Sequence, residues 1–166
     1  MRKFLVPFLV LSLLGGCKKS PTAPADLLSK DSLEFQIQRM PAKLQLNPEA
    51  TALAQDWKEF MDLGSSMDVL YKATNNEDLA LAVDDLIEKE KLLEQGQYPE
   101  SFDDYRIKSR QLVLRTYLYK LKASIMERQP TTEPAVEMLE AYNALRKQLN
   151  LIVKTELDKK LILESI

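Results

Sequence analysis

The 166-residue chain contains no histidine. That removes the commonest general base and the commonest transition-metal ligand. It contains one cysteine, Cys17, so no internal disulfide can form and stability must come from packing. Glycine is scarce: Gly15 and Gly16 stand together, while Gly64 and Gly96 stand alone. A phosphate-cradling loop needs several glycines close together ahead of a helix, and the body of the chain offers none. Basic charge is not in excess either, with 23 Lys+Arg against 25 Asp+Glu. A nucleic-acid partner would need a basic surface. What remains for chemistry is Asp, Glu, Lys, Ser and Tyr. The chain reads as non-enzymatic, with no catalytic residue, metal ligand or cofactor assigned.

Long apolar runs are also rare, and the one present is at the start. Arg2 and Lys3 precede Phe4 to Leu14, a run broken only by Pro7 and Ser12. A positive start, an apolar stretch and small residues form the layout of a secretory signal peptide. The run is about half the ~20 residues that a membrane-spanning helix needs.

Leu14-Gly15-Gly16-Cys17 resembles the lipobox of bacterial lipoproteins: an aliphatic residue, two small residues and an obligatory cysteine. The resemblance covers residues 1–17 only. It implies that the Cys17 thiol receives a diacylglyceryl group, that cleavage occurs before Cys17, and that the new amine is a further acylation site. The competing reading is an ordinary signal peptide with an incidental cysteine. Each buried CH₂ contributes about 0.8 kcal/mol, and two or more acyl chains anchor stably where one is marginal. Lys18 stands where an inner-membrane retention signal would carry Asp, and no acidic run follows. This is similar to the outer-membrane default. The expected location is therefore the bacterial cell envelope, lipid-anchored through Cys17 at the outer membrane and facing the periplasm.

Residues 1–16 are thus expected to be the cleaved signal, 17–30 a lipidated flexible tether containing Pro21 and Pro24, and 31–166 a single domain. Loss of Arg2 and Lys3 leaves 21 basic against 25 acidic residues, a net charge of −4.

Residues 32–40, SLEFQIQRM, fit a strand by Leu33, Phe35 and Ile37 and a helix by Leu33, Ile37 and Met40. The helical surroundings favour a short helix ended by Pro41. Asn47-Pro48 then opens a helix, as an N-cap followed by proline at the first position. Ala50, Leu53, Trp57, Phe60, Gly64, Met67 and Tyr71 follow at 3,4 spacing, a seam of three heptads. Thr74 and Glu77 match a capping box. The next helix runs to about Gln95 along Leu79, Val83, Leu86 and Leu93, with Gly96 suited to a left-handed C-terminal position. A fourth helix is expected from Ser101/Asp104 to about Gln129. A fifth is capped by Thr131 or Thr132, with Ala135, Met138, Tyr142, Leu145, Leu149 and Ile152 as its seam and Val153 and Leu157 beside it. Strand-rich runs with turn dipeptides are missing. The fold class is all-α: an antiparallel bundle of about four main helices, preceded by a short N-terminal segment and the tether.

The segment 102–129 carries two apolar stripes. Ile107, Leu114, Leu118, Leu121 and Ile125 form one. Phe102, Tyr105, Leu112, Tyr119, Ala123 and Met126, with Ser109 and Thr116 among them, form the other. An ordinary surface helix has a single stripe. Three readings follow: both stripes are internal, the Tyr-containing stripe is an exposed docking surface, or it lines a ligand pocket. Tyr105, Leu112, Tyr119 and Met126 are the candidate interaction residues for a protein partner, since Tyr favours interfaces. The alternative is a bundle that holds a small apolar or anionic ligand between its helices. Residues 77–95 are strongly acidic and 102–129 strongly basic, which is expected to pair the two helices rather than mark an anion surface. Asp84, Asp85 and Glu88 share one turn, but without an EF-hand-type loop they read as a solvated acidic face.

Overall fold

Asn47-Pro48 does open a helix. The Asn47 side chain accepts from the Ala50 N–H at 2.7 Å, and Pro48 is the first helical residue. The computed structural model describes residues 35–164, and Cys17, the signal segment and the tether lie outside them. It contains five α-helices: α1 (Pro48–Ala54), α2 (Lys58–Leu70), α3 (Asn76–Gln95), α4 (Tyr105–Met126) and α5 (Thr132–Glu164). Two 3₁₀ turns, Ile37–Arg39 and Glu100–Phe102, complete the regular structure, and no strand occurs among the described residues. The all-α bundle reading holds. None of these helices is long and apolar enough to cross a membrane.

Sequential helices are neighbours: α2 lies on α3, α3 on α4 and α4 on α5, with α1 packed on α5. The α3/α4 pair is antiparallel, because Asp84 meets Lys122 while Glu90 and Glu94 meet Arg115. The expected pairing of the acidic and basic helices is therefore present. It is incomplete, since Lys120 turns to Glu137 of α5 and Arg106 and Lys108 to Asp104 and Asp103 nearby. The core runs through all five helices. Phe60, Leu63, Met67, Leu79, Leu86, Leu93, Leu114, Leu118, Met138, Tyr142 and Leu149 are fully buried within it.

Several boundaries differ from the sequence expectation, each for a local reason. The 48–71 seam is broken at residues 55–57, where the Trp57 N–H turns back to Ala54 O at 3.0 Å. The break lets the Trp57 indole stack on Phe60 (5.2 Å) and Phe102 (5.9 Å) and meet Tyr98 (5.0 Å). It also rotates α1 relative to α2, so Leu53 is exposed and Ala54 takes the buried place. The capping box sits one residue later than read. Asn75 accepts from the Asp78 N–H at 2.8 Å, and the Asp78 carboxylate in turn receives the Asn75 side-chain amide and the Thr74 hydroxyl. Gly96 is extended (φ −75°, ψ 172°), not left-handed. Its missing Cβ makes room for the Glu59 side chain, which would lie 3.0 Å from one.

Helix α4 is shorter than expected at both ends. It starts after the Asp104 cap and stops at Met126. Gln129 N–H bonds Ser124 O (2.8 Å) and Arg128 N–H bonds Ile125 O (3.2 Å). That is a Schellman ending, and Arg128 takes the left-handed position at φ 54°, a place glycine fills without strain. The α5 seam from Ala135 to Val153 is buried as read, but Leu157 is exposed.

Of the short helix expected over 32–40, residues 32–34 lie outside the described ones, and the rest holds a single 3₁₀ turn, Ile37–Arg39, that ends before Pro41. Between Phe35 and Asn47 there is no α-helix, and Pro41 to Asn47 run as an extended strap along α5. A helix satisfies its own amides, whereas an extended strap must find outside partners. Asn143 supplies two: Leu44 N–H donates to its Oδ1 at 2.8 Å, and its Nδ2 donates to Ala42 O at 2.9 Å. Asn150, seven residues on, repeats this with Asn47 N–H (2.8 Å) and Gln45 O (3.0 Å). Between them Arg146 donates to Leu44 O. On the other side Tyr71 donates to Pro41 O at 2.8 Å and Lys43 pairs with Asp68.

Candidate docking face on helix α4

Helix α4 resolves the question of two stripes. Ile107, Leu114, Leu118 and Leu121 are fully buried toward the bundle, and Ile125 packs at its edge. The other stripe faces outward. Tyr105 is 79% exposed, Leu112 57%, Tyr119 44% and Met126 73%. All four predicted residues thus lie on one exposed face. Phe102 does not join them: it belongs to the preceding 3₁₀ turn and is buried under Trp57.

The outward face has an internal order. Tyr105, Ser109, Leu112, Thr116, Tyr119, Ala123 and Met126 follow one another at spacings of 4,3,4,3,4,3, the repeat of a coiled-coil seam. Large and small side chains alternate along it. Ser109, Thr116 and Ala123 are exposed as well, so the small positions form open notches between the large ones. The face is about 30 Å long at 1.5 Å per residue. Its flanks are charged, but most of those charges are already paired: Arg106 with Asp104, Lys108 with Asp103, Arg115 with Glu90 and Glu94, Lys120 with Glu137 and Lys122 with Asp84.

The N-terminal half of this face opens into a groove of about 800 Å³, lined by Tyr98, Tyr105, Ser109 and Leu112 together with Gln111 and Arg115. It is an open groove rather than an enclosed ligand cavity. Its floor is held by a buried polar network. Glu90, 1% exposed, accepts from Arg115 Nε at 2.7 Å, from Arg115 Nη2 at 2.9 Å and from Gln111 Nε2 at 3.0 Å. The Tyr98 hydroxyl donates to Gln111 Oε1, and the Lys108 ammonium lies 5.1 Å from the Tyr98 ring centre. Burial, aided by the Glu90 charge, pushes the Tyr98 phenol up to about 12. Hydrogen bonds that Arg115 donates to the Glu90 and Glu94 carboxylates hold its guanidinium firmly protonated. Two residues that the apolar pattern skipped thus build the floor. The signal was available: Glu90 continues the 79, 83, 86, 93 seam and Gln111 the 107, 114, 118, 121 seam, each as a polar residue at a core position. Two such interruptions on consecutive antiparallel helices are well placed to meet.

Asp84, Asp85 and Glu88 do not converge. Asp84 bonds Lys122, Asp85 accepts from Ser66 and faces Lys89, and Glu88 is exposed. Among the described residues no cluster of three acidic, His or Cys side chains is arranged to hold a metal ion.

Fold and site together define a class: an α-helical bundle with an exposed, heptad-ordered apolar helix face. Comparison with known families, curated proteins and solved structures finds no match to this chain.

Proposed function

We propose that this chain is a lipid-anchored protein of the bacterial envelope, attached through Cys17 at the outer membrane and facing the periplasm. Its bundle acts as a non-enzymatic module that binds another envelope protein through the outer face of α4. The observation that supports this most is the exposure of Tyr105, Leu112, Tyr119 and Met126 at heptad spacing. Scattered single apolar residues on a surface need no explanation, but a continuous seam of them does. Open notches at Ser109, Thr116 and Ala123 suit the side chains of a partner helix. The paired charges beside the seam give it a polar rim without an unbalanced field.

Fully burying one large apolar side chain contributes about 1.5–3 kcal/mol. Four partly exposed ones therefore supply on the order of 5 kcal/mol, and association itself costs about 4–15 kcal/mol. The seam alone supports a transient contact. A stable one requires the partner to fill the Tyr98 groove as well. A photocrosslinking residue placed at Tyr105, Leu112 or Tyr119 in the membrane-anchored protein should capture one and the same partner. The same residue at Glu88, exposed on another face, should not. A Tyr105/Tyr119→Ala double variant with its fold intact should lose the crosslink from Leu112. Equal capture from Glu88 would count against the α4 face. The anchor has a separate test: Cys17→Ser should abolish lipid labelling and release from the membrane any form that is still processed.

A second reading, a small anionic ligand, is favoured by one specific observation away from α4.

A further inference from the structure

Arg146 is 8% exposed, and it is the one buried Lys or Arg among the described residues. A buried charge ordinarily has a charged partner, because desolvating it alone is costly. Glu90, the buried carboxylate among the described residues, has Arg115. Arg146 has no carboxylate within ion-pair distance among the described residues. Its Nε donates to Leu44 O and its Nη1 to the Tyr142 hydroxyl at 3.2 Å, with the Tyr142 ring 5.6 Å away. A guanidinium carries five N–H donors, so these two neutral acceptors leave part of the fork unused.

The side chain also lines a cavity of about 250 Å³ between the strap, α1, α2 and α5. The cavity walls are apolar at Leu46, Ala54, Phe60 and Met61. Lys43 and Asp68 line it too, but they are bonded to each other. The lining therefore carries one uncompensated positive charge, that of Arg146. Gly64, inside helix α2, forms part of the wall. A Cβ there would touch the Tyr142 hydroxyl at 3.6 Å, an ordinary contact, so close packing does not demand glycine. Glycine in a helix interior is unfavourable relative to alanine, and at this position it leaves the space beside Tyr142 open.

We propose that this cavity is a binding site for a small monocarboxylate with an apolar body. A guanidinium fork matches a carboxylate in shape and charge. One net positive charge balances one negative charge, and Asp68 in the wall disfavours a dianion. The apolar walls accept a hydrocarbon body, and the volume holds about eight to ten non-hydrogen atoms at roughly 25–30 Å³ each. This inference stands apart from the α4 docking face and survives its failure.

Benzoate has the required size and charge, and benzamide is its neutral counterpart. The test is an NMR titration of the full chain in neutral detergent, following the Arg146 Nε–H and the backbone amides of Gly64 and Ser65. Benzoate should shift these resonances saturably. Benzamide and inorganic phosphate at the same concentration should not. Arg146→Gln should weaken benzoate at least about tenfold, the effect of one charged hydrogen-bond donor. Because Arg146 also holds the strap, a second variant is needed. Ser65 is exposed, and its hydroxyl bonds only Met61 O in its own helix, so Ser65→Trp should block the cavity while leaving the strap amides unchanged. Equal shifts from benzoate and benzamide, tighter binding of phosphate, unchanged affinity in Arg146→Gln, or no saturable shift at these probes would each overturn the proposal.

Discussion

Glu90 offers the most direct test of how the α3/α4 pair is held. Its carboxylate is buried and takes three hydrogen bonds, two from Arg115 and one from Gln111. Glu90→Gln keeps the shape, removes the charge and turns an N–H₂ toward donors. Breaking a buried ion pair by changing one partner costs about 3–5 kcal/mol. Arg115 keeps Glu94 at 2.7 Å and remains partly solvated, so the lower end applies, about 3 kcal/mol. With an unfolding entropy of ~2.1 cal/mol/K per residue over about 130 residues, the expected fall in Tm is roughly 10 °C. Glu94→Gln is the control: its side chain is half exposed, and the loss should stay below about 1 kcal/mol. Replacing both partners, Glu90→Leu with Arg115→Met, removes the uncompensated charge and should recover most of the stability. Calorimetry or circular dichroism of the four proteins reads the outcome. If Glu90→Gln melted within about 2 °C of the wild type, or the double variant were less stable than Glu90→Gln, the assignment of a buried, coupled pair would be wrong.

Asn143→Ala and Asn150→Ala each remove two hydrogen bonds from the strap. Each should cost about 1–3 kcal/mol and speed hydrogen exchange at Leu44 and Asn47 respectively, leaving α3 amides protected; uniform acceleration across the bundle would contradict a local clamp. Arg128→Gly relieves the left-handed backbone and should stabilise by about 0.5–1 kcal/mol, read from denaturant midpoints, while Arg128→Val should destabilise. Tyr71 and Tyr98 are both pushed up to about 12 by burial, against an unfolded value near 10. Since the fold favours their neutral forms, the stability they contribute is complete below pH 10 and is lost as pH rises through about 12. Ultraviolet titration should show these late phenolate steps, and Tyr98→Phe should remove one of them.

The bundle was legible because its signals are local. Asn47-Pro48, the 3.6-residue apolar periods and the proline positions act within a turn or two of the chain, and each leads to a helix where one is found. The misreadings cluster where a distant partner decides. Only the 3₁₀ turn Ile37–Arg39 forms where a helix was expected, and residues 41–47, which have no apolar period, are held extended by Asn143, Arg146 and Asn150, a hundred residues away. The 48–71 seam looked continuous because its spacing is regular, yet Trp57 finds Tyr98 and Phe102 only by interrupting it. Gly96 ends its helix as read, yet its backbone is extended rather than left-handed, and the Glu59 side chain of another helix fills the space its missing Cβ leaves.

The candidate site divides in the same way. Two apolar stripes on α4 follow from residue order alone, because 100° per residue places Tyr105, Leu112, Tyr119 and Met126 on one side whatever surrounds them. Which stripe meets the core depends on where α3 and α5 lie, and only the tertiary arrangement shows Ile107–Leu121 inside and Tyr105–Met126 outside. Arg146 is the sharper case. In the sequence it is one more charge beside an α5 seam; its burial, its lack of a carboxylate and the cavity next to it arise only when the strap, α1 and α2 close over it. Periodicity reports which residues share a face, and packing decides what that face meets.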